Sequence, residues 1–163
     1  MNERLLPASL SPADPIVPCN TPLLTQWQQL TRAGIQASRS HQPMQATALH
    51  QQALAIAQQL FAADADAGAD DDRVAAFVVS HLNLADAYLA TDQGGAAAEC
   101  LCSAHEELLA TLQDETLRPS LRIAAGHHRR ETHAALSQHL AAHGPQLLVS
   151  QTLASPITPA QLH

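Results

Sequence analysis

Three side chains on one predicted helix have the types and the spacing of metal ligands. Cys102, His105 and Glu106 lie three and four residues apart, which places them on one face of a helix. A thiolate together with an imidazole suits zinc, and His128 or His133 would be candidates for a fourth ligand. A buried cysteine and a hydrogen-bonded histidine are also ordinary packing. We therefore predict no metal and no other cofactor, and keep a zinc-binding helical regulator as the alternative.

Basic side chains form a second chemical feature on another predicted helix. A rotation of about 100° per residue puts Arg118, Arg122, Arg129 and His133 on one side of it. Guanidinium groups bind carboxylates in bidentate fashion, so this side could receive an acidic segment of a partner. Pairing within the chain, or simple solvation, is the alternative.

Catalytic patterns are absent from the sequence. It has no glycine-rich phosphate loop and no serine at a strand-to-helix elbow. Ser80 and His81 are adjacent, and adjacent residues of a helix do not face each other. We predict that the protein is not an enzyme.

The elements that would position these residues are helices, whose ends are marked by proline and glycine. The few aromatic residues leave a core of alanine and leucine, which favours close-packed helices over a sheet. We predict an all-α fold of about five helices in antiparallel pairs. The predicted helices cover residues 22 to about 40, 44–63, two arms of 80–109 joined by a turn at 92–95, and 119 to about 143.

Two stretches share the same internal spacing. Gly34 and Ala46 are twelve residues apart, and so are Ala85 and Ala97. In each stretch small residues would let two helices cross closely, while larger apolar residues fill the space beside them. The matching residues are Leu30, Ala33, Gly34, Ala37, Ala46, His50 and Ala53 in the first stretch, and the run Asn83 to Tyr88, Ala97, Leu101, Ala104 and Leu108 in the second.

This pattern resembles the tetratricopeptide repeat, a helix-turn-helix unit of about 34 residues. The resemblance covers two degenerate units, about Trp27–Leu60 and Val78–Thr111, and the helix from Pro119 would cap the second unit. Two features depart from the family pattern. Ala85 stands where the family usually has glycine, and the two units are 51 residues apart rather than one period.

Three regions of the chain are predicted to differ in organisation. Residues 1–21 contain four prolines and are expected to form an extended or disordered arm. Residues 22–144 should form the helical domain, and residues 145–163 an extended tail. Within the domain, the aspartate-rich stretch 64–72 is interpreted as a solvated linker, because it lacks the closing glutamate of a calcium loop. Its aspartates would also favour the start of the following helix.

Charge and composition exclude several functions. The formal net charge is −7, with eight arginines and no lysine, which argues against nucleic-acid or anionic-membrane partners. No apolar run suits a signal peptide or a membrane span. Three cysteines give no disulfide framework. We expect a cytoplasmic protein.

The resemblance implies that a peptide lies in the groove lined by the first helix of each unit. We therefore predict an adaptor that binds a protein or peptide partner and could form a homodimer. A role like that of a secretion chaperone is a further alternative, and the apolar tail could instead occupy the groove of its own or a neighbouring chain. The residues implied for the groove are Gln28, Thr31, Ile35, Ser38, Arg39, Val79, Leu82, Asp86 and Leu89. The basic side of the fifth helix adds Arg122, Arg129 and His133 to the predicted ligand surface.

Overall fold

The computed structural model describes residues 22–64 and 68–156 of the chain. All regular secondary structure in these residues is helical, which confirms the predicted fold class. None of the described helices has the length and apolar character needed to cross a membrane. The predicted N-terminal arm lies outside the described residues. The helices are α1 (Pro22–Arg39), α2 (Pro43–Ala62), α3 (Asp70–Leu89), α4 (Gly94–Gln113), α5 (Pro119–His143) and α6 (Leu147–Ala154).

The turns that join α1 to α2 and α3 to α4 have the same backbone structure. Each turn contains one residue with positive φ, His41 at 56° and Asp92 at 58°. Histidine and aspartate tolerate this conformation better than most residue types. Each closes its helix with the two hydrogen bonds of a Schellman motif. These bonds are His41 N–H to Ser38 O (3.2 Å) and Gln42 N–H to Ala37 O (2.9 Å), and Asp92 N–H to Leu89 O (3.2 Å) and Gln93 N–H to Tyr88 O (2.9 Å). The two hairpins therefore repeat at the level of individual hydrogen bonds.

The helices form two layers. α3 contacts α1 and α5 as well as its neighbours in the chain, α2 and α4, so the first helices of successive pairs lie side by side. Trp27 of α1 donates a hydrogen bond from its indole N–H to the hydroxyl of Ser80 on α3 (2.7 Å). Alanines at the helix crossings are fully buried, for example Ala53, Ala97 and Ala104. Small side chains thus allow the close approach that the sequence predicted.

The segment after α5 corrects one prediction. Residues 147–154 form the helix α6 rather than an extended tail, and α6 packs against α4 and α5. Val149 is fully buried in the same apolar cluster as Leu84, Leu101 and Leu136. The helical domain therefore continues beyond residue 144, because burial of this apolar side chain stabilises an otherwise marginal short helix.

Arg73 is the largest fully buried side chain of the described residues, with 1% of its surface exposed. Its guanidinium caps the C-terminal end of α2, where backbone carbonyl groups have no partner within the helix. The accepting carbonyl oxygens are those of Leu60 (2.6 Å), Phe61 (3.3 Å), Ala63 and Asp64 (3.2 Å). A cation at this end also complements the helix dipole.

Asp70 connects this cap to α5. Its carboxylate accepts hydrogen bonds from Arg73 (3.1 Å), from Nε of Arg118 (2.7 Å) and from Ser120 (2.6 Å). The hydrogen bond from Arg118 is the main reason that the pKa of Asp70 lies below its usual range, although burial opposes it.

The interpretation of residues 64–72 as a solvated linker was wrong for Asp70, whose side chain is only 8% exposed. The expected acidic first turn of α3 is confirmed.

Gly34 marks the closest approach of α1 to α2. A Cβ atom at this position would lie 2.5 Å from Cε1 of His50, well inside van der Waals contact. The His50 ring is itself only 2% exposed, so it has little room to move away. The glycine is therefore required by packing, although glycine is unfavourable in a helix.

We predict that Asp70→Asn lowers the free energy of unfolding by about 3 kcal/mol, because it leaves two buried or half-buried guanidinium groups without their anion. Urea unfolding followed by circular dichroism measures this loss. Asp72→Asn is the matched control in the same helical turn, since Asp72 is exposed, and it should cost less than about 1 kcal/mol. Equal losses in the two variants would contradict the buried junction.

The contribution of Asp70 to the free energy of unfolding should also depend on pH, and it should decrease in acid. Because its pKa is lowered in the folded state, the carboxylate stabilises the fold above its unfolded pKa of about 3.9. This stabilisation is lost as the pH falls through the folded pKa, so the difference between wild type and Asp70→Asn should shrink in acid.

We predict that Gly34→Ala destabilises the protein by about 1–3 kcal/mol through overpacking against His50, despite the higher helix propensity of alanine. Gly126→Ala in α5 is the control, because a Cβ there would meet only Leu112 Cδ1 at 3.4 Å. The control should be neutral or stabilising by up to about 1 kcal/mol. Thermal unfolding of both variants measures the difference, and a stabilised Gly34→Ala would refute the packing argument.

Candidate functional site

Two hollows adjoin each other along the surface of α1, α2, α3 and α5, and Asp86 of α3 lines both. The first hollow has a volume of about 370 Å³ and the second about 260 Å³. We call the surface that contains both hollows the inner groove. Asp86 is exposed and lies at the boundary between the hollows.

The first hollow lies between the turn of the first hairpin and the C-terminal end of α3. Its walls are mostly small side chains, which leave space that larger residues would fill. The lining residues are Ser38, His41, Pro43, Ala46, Asp86, Ala87 and Ala90.

The second hollow lies between α3 and α5, with α4 beneath it. One wall carries leucine and alanine side chains, and the other carries polar side chains of α5. The lining residues are Leu82, Ala85, Asp86 and Leu89 of α3, Leu101 of α4, and Ala135, Gln138, His139, Ala142 and His143 of α5.

The electrostatic environment of Asp86 is unusual for an exposed carboxylate. Its pKa is raised from the usual value, first by partial desolvation between the walls of the hollows, while a nearby His50 acts in the opposite direction. Within the described chain, no side chain donates a hydrogen bond to this carboxylate. Its accepting oxygens are thus available to a group that enters either hollow.

His139 and His143 bring two imidazoles to the second hollow. Their ring centroids are 4.6 Å apart. His139 is 4% exposed, and burial lowers its pKa, with a further decrease from His143 and a small increase from Gln146. Neither ring nitrogen of His139 has a hydrogen bond of good geometry to the described part of the chain. Such unpaired buried nitrogens are rare and require an explanation.

The structure brings part of the predicted groove together. Leu82, Asp86 and Leu89 line the second hollow, and Ser38 lines the first. On α1, Thr31 is buried, Gln28 and Ile35 are half-buried, and Arg39 is exposed; Val79 of α3 is half-buried. None of these five is among the residues that line the two hollows.

The basic side of α5 does not join this groove. Arg122 donates a hydrogen bond to the backbone oxygen of Leu112, at the end of α4 (3.2 Å). Burial lowers the pKa of His105 of α4, and the nearby Arg129 lowers it further; the His133 ring is 6.0 Å from the His105 ring. Arg122, Arg129 and His133 therefore lie on the α4 side of α5, about half a turn from the residues that line the second hollow. The prediction that both sets form one ligand surface is not supported.

Two of the three candidate zinc ligands have hydrogen-bond partners within the fold. His105 Nδ1 is 2.8 Å from the Thr132 hydroxyl, and Glu106 accepts a hydrogen bond from the Thr152 hydroxyl (2.8 Å). Burial raises the pKa of Cys102, which disfavours the thiolate that zinc requires. Across residues 22–64 and 68–156, no group of three or more potential ligands is placed to hold a metal ion.

Sequence reasoning did not assign His139 and His143 to the groove. His139 and His143 are four residues apart. The pairs Ala135 and His139, and Gln138 and Ala142, have the same spacing, so all these residues lie along one side of α5. The sequence predicts only that the helix from Pro119 caps the second unit. In the structure this helix also lines the second hollow.

Comparison with known proteins identifies a family. The model of the family described as "Protein of unknown function (DUF2753)" matches residues 25–156. This range is most of the chain, so the chain belongs to that family. No curated protein and no solved structure matches the chain.

We predict that the protein loses stability as the pH falls from about 7.5 to about 5.5, around the unfolded histidine pKa of about 6.5. Burial lowers the pKa of His50, His81, His105 and His139, so the unfolded chain binds more protons in this range. Stability then rises with pH, by up to about 1.4 kcal/mol per pH unit for each histidine.

Urea unfolding at a series of pH values measures this slope. His81→Asn should reduce it, because His81 is buried and bonded to the Phe77 carbonyl (2.9 Å). Ala134→Gln is the control at an exposed position of α5 that carries no titratable group, and it should leave the slope unchanged. A slope that is the same in all three proteins would contradict the prediction.

Proposed function

We propose that this member of the DUF2753 family is a non-enzymatic adaptor that binds a segment of a partner protein in its inner groove. The observation that carries the proposal is the pair of adjoining hollows, about 370 and 260 Å³, on either side of Asp86. Apolar walls with a few convergent polar groups are typical of surfaces that recognise a peptide.

The groove has the rigidity that recognition requires. Its walls are helices that also pack into the core through other residues, for example Leu84 of α3 and Leu136 of α5. A site on packed helices needs little ordering when a partner binds, so less conformational entropy is lost. This property supports binding of an extended or helical segment without a large rearrangement of the groove.

The repeated hairpins support a tetratricopeptide-like mode of binding. The first helices of successive pairs lie side by side and form the inner layer, and the two hairpin turns share their hydrogen bonds. A partner in the groove would then contact residues of α1, α3 and α5, as the resemblance implies. A cytoplasmic location fits Cys100 and Cys102, which are free cysteines in the described part of the chain, since thiols persist in a reducing compartment.

A peptide-selection experiment tests this proposal. A random peptide library is selected on the wild-type protein, and the affinity of the enriched peptides is then measured by calorimetry. Ala90→Trp and Ala142→Trp fill the first and second hollows from exposed positions. We predict that at least one of these variants weakens binding by about tenfold or more.

Matched controls carry the same substitution at exposed alanines outside the two hollows. Ala110→Trp on α4 and Ala141→Trp on α5 should change the affinity by less than about twofold. If the selected peptides bind all four variants as they bind the wild type, the groove is not the binding surface. Failure to enrich any peptide would also count against the adaptor function.

A further inference from the structure

The second hollow contains two polar groups that make no well-formed hydrogen bond within the described residues, although Gln146 lies near one of them, His139. The carboxylate of Asp86 has no hydrogen-bond donor in the described chain, and the ring nitrogens of His139 have no well-formed hydrogen bond there. His139 is more than nine-tenths buried, yet it lines the hollow. Because buried polar atoms are normally paired, its ring is placed to bond to whatever fills the hollow.

The two polar groups are on different helices that line the same hollow, Asp86 on α3 and His139 on α5. The leucines Leu82, Leu89 and Leu101 give this hollow an apolar surface. A ligand that fits this arrangement has an apolar stem and a charged head. The negative charge of Asp86 selects a cationic head, since an anion there would be repelled.

His139 is suited to a cationic guest because its burial keeps the imidazole neutral near neutral pH. A neutral imidazole offers one N–H donor and one acceptor nitrogen, which matches the donor and acceptor groups of a peptide backbone. A second positive charge in the hollow would instead repel the guest. The side chain therefore adds hydrogen bonding without opposing the charge selected by Asp86.

We propose that the second hollow is the subsite for a lysine or arginine side chain of the bound segment. The cationic head binds the carboxylate of Asp86, the methylene stem packs on the leucine wall, and the backbone beside it hydrogen-bonds to His139. This inference rests on the proposed peptide-binding function and specifies the residue type at one position of the ligand.

Blocked tripeptides test the subsite directly on the full-length protein. The probes are N-acetylated and C-amidated Ala-Lys-Ala and Ala-Arg-Ala, with Ala-Gln-Ala, Ala-norleucine-Ala and Ala-Glu-Ala as neutral and acidic comparisons. Binding is followed by the NMR signal of the His139 Cε1–H group, which reports on this hollow alone. We expect the basic peptides to shift this signal in a saturable way, with at least about tenfold higher affinity than the others.

Substitutions test the contribution of the Asp86 charge to peptide affinity separately from that of the His139 hydrogen bond. Asp86→Asn keeps the shape of the side chain and should weaken binding of the lysine peptide by about tenfold or more. Asp92→Asn is the matched control, because Asp92 is exposed on the following turn and asparagine tolerates its positive φ. This control should change the affinity by less than about twofold. His139→Gln retains donor and acceptor groups and should weaken all basic peptides by a smaller factor than Asp86→Asn.

The dependence on pH gives an independent readout. The titratable groups around the hollow are Asp86 on α3, His50 near it on α2, and His139 and His143 on α5, while α4 contributes the apolar Leu101. Acid neutralises Asp86, whose pKa is raised, and charges His50 and His139, whose pKa values are lowered by burial. Both changes oppose a cation, so affinity for the lysine peptide should fall as the pH decreases, whereas affinity for the norleucine peptide should not follow this trend.

Each outcome decides the inference. Equal binding of basic and neutral peptides, equal effects of Asp86→Asn and Asp92→Asn, or no shift of the His139 signal at the highest soluble concentration would overturn it. The failure of the adaptor function is distinguishable, because the library selection on the whole groove would then yield no peptide. If that selection yields peptides without a basic residue, the adaptor function holds and the subsite assignment is wrong.

Discussion

A single carboxylate, that of Asp70, joins three helices in the interior of this protein. It holds Arg73, which caps the end of α2, and it binds Arg118 at the start of α5. An isolated charge in such a position would be very costly. Here the guanidinium of Arg73 is bonded to backbone carbonyl groups as well as to the carboxylate, so both charges have partners. The junction fixes the start of α3 relative to α2 and α5.

The opposite end of α3 is positioned by packing and by a turn. The Schellman motif around Asp92 ends α3 and returns the chain as α4, while alanines such as Ala85 and Ala97 let the helices approach closely. Small side chains that permit this approach also leave space where no larger residue covers them. The two hollows beside Asp86 are therefore a consequence of the same alanine-rich composition that builds the core.

The helices and their ends could be predicted because proline, glycine and apolar spacing are local signals. Pro43, Pro119 and Gly144 lie where α2 and α5 begin and where α5 ends. The equal spacing of Gly34 and Ala46 and of Ala85 and Ala97 anticipated the repeated hairpins. The same reasoning found four residues that line the groove, Ser38, Leu82, Asp86 and Leu89, but none of those on α5.

The remaining features depend on contacts between residues that are distant in sequence. Asp70 resembles the solvated aspartates beside it, and nothing in the local sequence shows that Arg118 binds it from 48 residues away. The helix α6 is too short to be stable alone and forms because Val149 is buried. The orientation of Arg122 and Arg129 towards α4 depends on the rotation of α5 about its axis, which a stripe of alanines specifies weakly.

Site-specific photocrosslinking tests the central claim, that the inner groove is the recognition surface. A photoreactive amino acid is placed at Leu89 in the second hollow, and in a separate protein at Glu107, which lines a hollow between α2 and α4 on the other layer. A peptide selected on the wild-type protein should crosslink to position 89 and not to position 107. Crosslinking at position 107 with none at position 89 would contradict the account.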